Sequence, residues 1–121
     1  MANTANLLED SLLVIWNDRD AQKRLEAMTK TYASDICFYE SDGGEPVIGH
    51  QAINDLISKL QTTWPKEFQF TLNKPPQINH QAQIISWNLG PESTAPVATG
   101  MDVAFIENGL IKSLYLFLEN R

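Results

Sequence analysis

Four segments in the second half of the chain alternate apolar residues with polar or small ones, a pattern typical of strands with one buried face. These segments span residues 68–72, 85–89, 97–106 and 110–118. Asn108-Gly109, between the last two, favours a two-residue hairpin. The stretches KPPQINH and GPESTAP separate the other strands. The second half is therefore predicted to form consecutive antiparallel strands.

Helical periodicity dominates the first half. A helix over residues 6–16, capped by Asn6, has an apolar face formed by Leu8, Leu12, Ile15 and Trp16. A second helix, capped by Asp18 or Asp20, has a face formed by Ala21, Leu25, Met28 and Tyr32. After a short strand at 36–39 and the turn SDGGEP, a third helix ends before Pro65 and carries Ile53, Leu56, Ile57 and Leu60.

Helices followed by a run of strands predict an α+β fold, with the helices on one face of a curved antiparallel sheet. A chain of 121 residues is expected to form a single domain over residues 1–121. The space between sheet and helices is concave, as small-molecule sites commonly are. The opposite sheet face is expected to pair with a second copy in a homodimer, through Leu110, Leu114, Leu116 and Leu118.

Composition excludes several classes of partner. The chain has 15 Asp and Glu against 9 Lys and Arg, a formal charge of −6, which disfavours nucleic acid and anionic membranes. No apolar run approaches the roughly 20 residues of a membrane span. With Cys37 as the only cysteine and no leader-like start, a cytoplasmic, reduced protein is expected.

Two carboxyls are candidates for chemistry. Asp102 interrupts the apolar strand VATGMDVAFI, and it shares a strand face with Gly100 and Ala104, which leave room before it. Its alternative role is structural, bonded to backbone or paired with Arg or Lys. Glu40 has the strand parity of Phe38, and its alternative is a solvated residue before a turn. Two carboxyls in different environments would suit proton transfer.

Aromatic residues could line a cavity or simply fill the core. The substrate pocket is predicted to include Trp16, Phe38, Trp87, Tyr115 and Phe117. His50 and His80 lack a partner at metal-ligand spacing, so no metal and no other cofactor is expected. Cys37, in mid-strand, is interpreted as a buried apolar residue rather than a nucleophile.

Four stretches carry a family resemblance: WNDRD, YASDICFYE, GHQAINDLI and GMDVAFIENGLIKSLYLF. In their order and spacing the chain resembles the nuclear transport factor 2-like superfamily, in its SnoaL-like polyketide cyclase and ketosteroid isomerase branch. The resemblance implies a cystatin-like, cone-shaped α+β barrel, a pocket between sheet and helices, and dimerisation through the sheet.

The resemblance to ketosteroid isomerase also implies roles for single residues. Glu40 falls where the isomerase has its base, and Asp102 falls where it has the acid of its oxyanion hole. Leu12 stands where the isomerase has a tyrosine donor, so isomerase activity would need a substitute from Tyr39, Tyr115 or Trp87.

Three classes of function remain open from the sequence. The first is an enzyme that moves a proton next to the carbonyl of a small apolar or cyclic molecule. The second is a non-catalytic ligand-binding or dimerisation module, and the third is protein binding, for which the sequence has no dedicated surface pattern.

Overall fold

The computed structural model describes residues 6–119 and confirms the α+β class, with three helices packed on a curved, seven-stranded sheet. The helices are α1 (Leu7–Asp10, continued by a π-helical segment, Ser11–Trp16), α2 (Ala21–Thr31) and α3 (His50–Gln61). The strands are β1 (Tyr32–Tyr39), β2 (Val47–Ile48), β3 (Gln69–Leu72), β4 (Gln77–Asn79), β5 (Ala82–Gly90), β6 (Ala98–Glu107) and β7 (Leu110–Glu119). Within the described range, no helix has the length and apolar composition needed to cross a bilayer.

The sheet has the strand order β2-β1-β7-β6-β5-β3, and β4 pairs with β5 beside β3. One neighbouring pair, β1 and β7, is parallel, whereas the sequence predicted antiparallel strands throughout. A parallel pair needs a long crossover connection, and α3 together with the intervening strands supplies it. The remaining pairs are antiparallel, as predicted.

The first helix differs from its regular prediction, because residues 11–16 form a π-helical turn. In such a turn, side chains five residues apart lie on one face. Ser11 and Trp16 have this spacing, and both hydrogen-bond the phenol of Tyr32. Tyr32, predicted to lie on the second helix, is instead the first residue of β1, where it pairs with Ile111 of β7.

The faces of β7 were assigned wrongly from the sequence. Leu114, Leu116 and Leu118 were predicted to lie on the outer face, but they line the concave side of the sheet. The cause is a β-bulge opposite Phe105 and Ile106, which adds a residue to β7 and so reverses the alternation beyond it. The outer face therefore carries the neighbouring aromatic residues of this strand.

The turn between β6 and β7 is a tight hairpin. Asn108 and Gly109 have positive φ angles of 55° and 80°, as such a turn requires, and this confirms the predicted turn.

A second hairpin was not predicted. The stretch KPPQINH, expected to be a connection, contains β4, which turns into β5 at His80 and Gln81. Its three exposed residues gave no alternating pattern by which to detect it.

A buried arginine joins α2 to α3. The Arg24 guanidinium donates to Asn54 Oδ1 (2.6 Å), Gln61 Oε1 (3.0 Å) and the carbonyl of Asp18 (2.7 Å), and it also contacts Ser58 Oγ. Its side chain is only 1% exposed. Neutral oxygens thus solvate the cation in place of water, and the two helices are held at a fixed spacing behind the sheet.

Replacing Arg24 with Leu should lower the free energy of unfolding by about 3 kcal/mol, since it leaves buried acceptors unpaired. Urea denaturation measures this loss. Arg19→Leu is the matched control, because Arg19 bonds only the carbonyls of Gln61 and Pro65 near the surface and should cost about 1 kcal/mol or less. Equal losses in the two variants would contradict a central role for Arg24.

Candidate functional site

A cavity of about 360 Å³ lies between the concave face of the sheet and the helices. Its wall is almost entirely apolar, and its polar side chains are Glu40, Thr63 and Asp102. The volume falls within the range of small-molecule sites. The residues that form it come from the first helix, the end of α3, the following loop and five strands (β1, β3, β5, β6 and β7), so most of the fold contributes to one site.

Six aromatic residues line this cavity: Trp16, Phe38, Trp64, Phe68, Phe70 and Trp87. Phe70 is the centre of the group. Its ring centroid lies 6.2 Å from Trp16, 6.0 Å from Trp64 and 5.2 Å from Trp87, with interplanar angles of 84–88°. These edge-to-face contacts fix the three indoles relative to one another.

Asn17 holds Phe70 in place. Its side-chain amide donates to the carbonyl of Phe70 (3.0 Å), and its oxygen accepts from the Phe70 amide (2.7 Å). Because β3 is an edge strand, Asn17 acts as a short substitute for the missing neighbouring strand. This positioning role was missed, since it depends on a contact between residues 53 positions apart.

Asp102 projects into the cavity from the middle of β6. The indole N–H of Trp87 donates to Asp102 Oδ1 at 3.0 Å. Trp87 stands opposite Gly100 in the strand pairing, and a Cβ atom on Gly100 would lie 2.6 Å from the Trp87 ring. The missing side chain lets the indole lie across β6 and reach the carboxyl two residues further on. The room that the sequence predicted in front of Asp102 is thus partly filled by Trp87.

Burial raises the pKa of Asp102 to about 7, and the hydrogen bond from Trp87 lowers it by a smaller amount. Neither structural alternative considered for this residue applies to its side chain. Its hydrogen-bond partner is an indole rather than backbone, and within residues 6–119 no Lys or Arg forms an ion pair with it. Asp102 therefore changes protonation state near neutral pH.

Glu40 follows the last residue of β1 and lies at the solvent-exposed rim of the same cavity. Strand parity accounts for its direction, since Phe38, two residues earlier, also lines the wall. The structure therefore brings both candidate carboxyls to one cavity, with Asp102 inside and Glu40 at the edge. Their catalytic roles remain predictions.

Of the five predicted wall residues, three line the cavity and two do not. Trp16, Phe38 and Trp87 line the cavity. Tyr115 and Phe117 do not, because the bulge in β7 turns them to the outer face of the sheet. There Tyr115 stacks on Tyr39, with ring centroids 4.6 Å apart.

Comparison of the sequence with protein-family models gives no match, and comparison with curated proteins gives none either. Solved structures do match. A SnoaL-like family protein from Agrobacterium tumefaciens, provisionally classed as an isomerase, has a TM-score of 0.82 at 23% identity, covering 94% of this chain and 95% of its own.

Two further structures agree with this comparison. A Jannaschia protein provisionally classed as a SnoaL-like polyketide cyclase has a TM-score of 0.75 at 8% identity, covering 98% of this chain and 91% of its own. A Methylobium petroleophilum protein with a cystatin-like fold has a TM-score of 0.70 at 14% identity, covering 99% and 81%. The chain therefore has the fold of these SnoaL-like and cystatin-like structures. Identities this low establish the fold alone.

Within this SnoaL-like fold, Leu12 lines the cavity at the position where the resemblance expects a tyrosine. Behind it lies Tyr32, whose phenol hydrogen-bonds Ser11 Oγ at 2.6 Å. Burial raises the pKa of Tyr32 to about 12, and hydrogen bonds from Ser11 and Trp16 partly offset this. Tyr32 is not part of the cavity wall, and Tyr39 and Tyr115 lie outside, so no tyrosine of the described chain faces into the site.

No group of three or more His, Cys, Asp or Glu side chains suited to a metal ion occurs within residues 6–119. His50 opens α3 and contacts the carbonyls of Tyr32 and Ala33, each at 3.1 Å, while His80 is exposed in the turn before β5. Neither histidine lines the cavity. The titratable groups of the site are therefore its two carboxyls.

Asp102 should make the protein less stable as pH rises. Its carboxyl is protonated in both states below about pH 4, the usual value for an unfolded Asp. Between there and about pH 7 the folded state keeps a proton that the unfolded state releases, so raising the pH favours unfolding. The loss should total about 4 kcal/mol between pH 4 and pH 8.

The difference in unfolding free energy between wild type and Asp102→Asn, measured by urea denaturation across this pH range, isolates the effect. Asp42→Asn, which removes an exposed carboxyl from the turn after β1, is the control and should keep the wild-type pH dependence. A wild-type minus Asp102→Asn difference that stays constant with pH would contradict the burial of this carboxyl.

Proposed function

We propose that this protein binds a small apolar or cyclic molecule in the cavity and transfers a proton next to its carbonyl group. The observation that supports this most is the presence of two carboxyls in one aromatic-lined cavity, one exposed at the rim and one inside with a pKa near 7. Two carboxyls in unlike surroundings, one in water and one in an apolar wall, are an arrangement that acid-base sites use.

In the proposed reaction, the Glu40 carboxylate removes a proton from the carbon beside the carbonyl. The C–H electron pair forms a C=C bond, and the carbonyl π pair moves onto oxygen. Protonated Asp102 donates a hydrogen bond to that oxygen. In a conjugated substrate, return of the proton from Glu40 to another carbon gives an isomerase. Attack of the enolate carbon on a second carbonyl forms a C–C bond and moves that carbonyl's π pair onto its oxygen, which takes the proton from Glu40 and gives a cyclase. The provisional classes of the Agrobacterium and Jannaschia proteins agree with these outcomes.

The site has fewer donors than this chemistry favours. Leu12 has no proton to give, and the Trp87 N–H is already bonded to Asp102. Loss of one such donor costs about 3–4 kcal/mol of transition-state stabilisation in a studied protease. The proposed activity should therefore be slow for simple ketones, and Asp102 is the donor proposed to stabilise the oxygen.

The test is exchange of the α-hydrogens of cyclohexanone for deuterium in D2O, followed by NMR, because it reports proton transfer next to a carbonyl without assuming a product. Wild type should accelerate exchange. Glu40→Gln and Asp102→Asn should each reduce the acceleration by roughly tenfold or more. Glu92→Gln, in the loop between β5 and β6, removes a surface carboxyl and should change nothing.

A non-catalytic ligand-binding module is the second candidate, and the exposure of Glu40 favours it, because a solvated carboxylate is a weak base. Tryptophan fluorescence separates the two, since all three tryptophans of the chain line the cavity. A fluorescence change with cyclohexanone but no accelerated exchange would support the module and remove the enzyme proposal.

We also propose a homodimer formed through the outer face of the sheet. This face carries the stacked pair Tyr39–Tyr115 with Phe105 and Phe117, which are 45% and 56% exposed. Aromatic side chains grouped on one exposed face are typical of protein interfaces.

Phe117→Ser should shift the protein to monomer in sedimentation velocity, because it removes an aromatic side chain from the proposed interface. Val14→Ser is the matched control: Val14 is 52% exposed and lies on the first helix, away from this face. A wild-type protein that sediments as a monomer at micromolar concentration would exclude the dimer.

A further inference from the structure

The hydrogen-bonding groups of the cavity are mostly acceptors. Its carboxyls, Glu40 and Asp102, are acceptors when ionised, and the Thr63 hydroxyl already donates to the carbonyl of Leu60 at 2.6 Å. The N–H of Trp87 is used by Asp102, and that of Trp16 by Tyr32. None of the wall residues in the described chain is Lys, Arg or His. A ligand that accepts hydrogen bonds would find few donors here.

The aromatic wall favours a positively charged ligand, which does not need hydrogen-bond donors from the protein. Indole rings attract cations more strongly than other aromatic side chains do, and they do so best where water is excluded. Trp16, Trp64 and Trp87 all contribute to the wall, and the perpendicular contacts with Phe70 hold them around one space. Preorganised rings lose little conformational entropy when a ligand binds.

We infer that the ligand of this cavity is an organic cation, a hydrophobic ammonium or protonated imine, whose nitrogen lies among the tryptophans beside Asp102. The inference rests on the proposed function in taking the cavity as the binding site and Glu40 as the base, and it replaces the carbonyl of the proposed substrate with an ammonium or a protonated imine. A cation in this position compensates the ionised carboxyl, which accepts a hydrogen bond from Trp87 but lies in a wall that is otherwise mostly apolar. The formal charge of −6 also attracts cations to the protein at long range.

A protonated imine would keep the proposed proton transfer but change its charge balance. Glu40 removes a proton from the carbon next to C=N⁺, the C–H electron pair forms a C=C bond, and the C=N π pair moves onto nitrogen to give a neutral enamine. Positive charge disappears in this step, and no oxyanion forms. The leucine at position 12 is then compatible with the reaction, because no phenol donor is needed.

The direction of the pH dependence distinguishes the ligand classes. Within residues 6–119 the ionisable side chains of the wall are the carboxyls of Glu40 and Asp102, and burial raises the pKa of Tyr32 behind them to about 12. An ammonium ligand should bind more tightly as Asp102 ionises with rising pH. A ligand held through its oxygen by protonated Asp102 should bind more weakly over the same range.

The test compares choline with 3,3-dimethylbutan-1-ol, which has the same shape with carbon in place of the charged nitrogen. Binding is followed by tryptophan fluorescence and calorimetry at pH 5.5 and pH 8.5. Choline should bind about tenfold more tightly than the alcohol at pH 8.5, and the preference should fall severalfold at pH 5.5.

Variants assign the effect to the cavity. Asp102→Asn should remove most of the choline preference over the alcohol at pH 8.5, and a thermal melt checks that this variant is folded. Glu40→Gln, at the exposed rim, should reduce the preference by a smaller factor. Glu92→Gln makes the same change of net charge outside the cavity and should keep the wild-type preference.

Equal or tighter binding of the alcohol at pH 8.5 would overturn the cation inference while leaving the cavity as a small-molecule site. A choline preference that persists in Asp102→Asn would overturn the placement of the nitrogen. If cyclohexanone, choline and the alcohol all fail to bind, the proposed function and this inference fail together.

Discussion

The hydrogen bond from Trp87 to Asp102 sets the chemistry of the cavity, and it exists because residue 100 has no side chain. A Cβ atom there would lie 2.6 Å from the indole and 2.9 Å from the Phe117 carbonyl on the neighbouring strand. With glycine, the indole lies across the strand and its N–H points at the carboxyl. The bond stabilises the ionised form without supplying a full counter-charge. The carboxyl therefore remains able to gain or lose a proton near neutral pH.

Polar contacts outside the cavity allow its wall to stay apolar. Arg24 joins α2 and α3 through side-chain and backbone oxygens. Asn17 completes the hydrogen bonding of an edge strand at Phe70, the residue on which three indoles rest. Within residues 6–119 no buried side-chain nitrogen or oxygen lacks a partner. The buried polar side chains thus form their hydrogen bonds outside the cavity. Within residues 6–119, the ionisable groups of the cavity wall are the two carboxyls.

Much of this arrangement could be predicted from local pattern. The i, i+3, i+4 spacing of α3, the Asn108-Gly109 turn and the strand parity of Glu40 and Asp102 all depend on neighbours in sequence, and all of them led to the correct placement. The errors arose where an extra residue changes the period. A π-helical turn moved Ser11 onto Tyr32, and a bulge in β7 exchanged the faces of its leucines and aromatics. No local sequence pattern predicts the π-helical turn or the bulge, because both are stabilised by partners distant in sequence.

The burial that raises the pKa of Asp102 also links its proposed role to the stability of the fold. Ionising this carboxyl costs free energy of folding only when the cavity holds nothing to compensate it. A bound cation would supply that compensation. A cationic ligand should therefore stabilise the protein most at high pH, where Asp102 is ionised. A neutral ligand that needs protonated Asp102 would act in the opposite sense and stabilise the protein most at low pH. The pH dependence of the ligand's stabilising effect therefore differs in sign between a cationic and a neutral ligand, because Asp102 contributes both to ligand binding and to the free energy of unfolding.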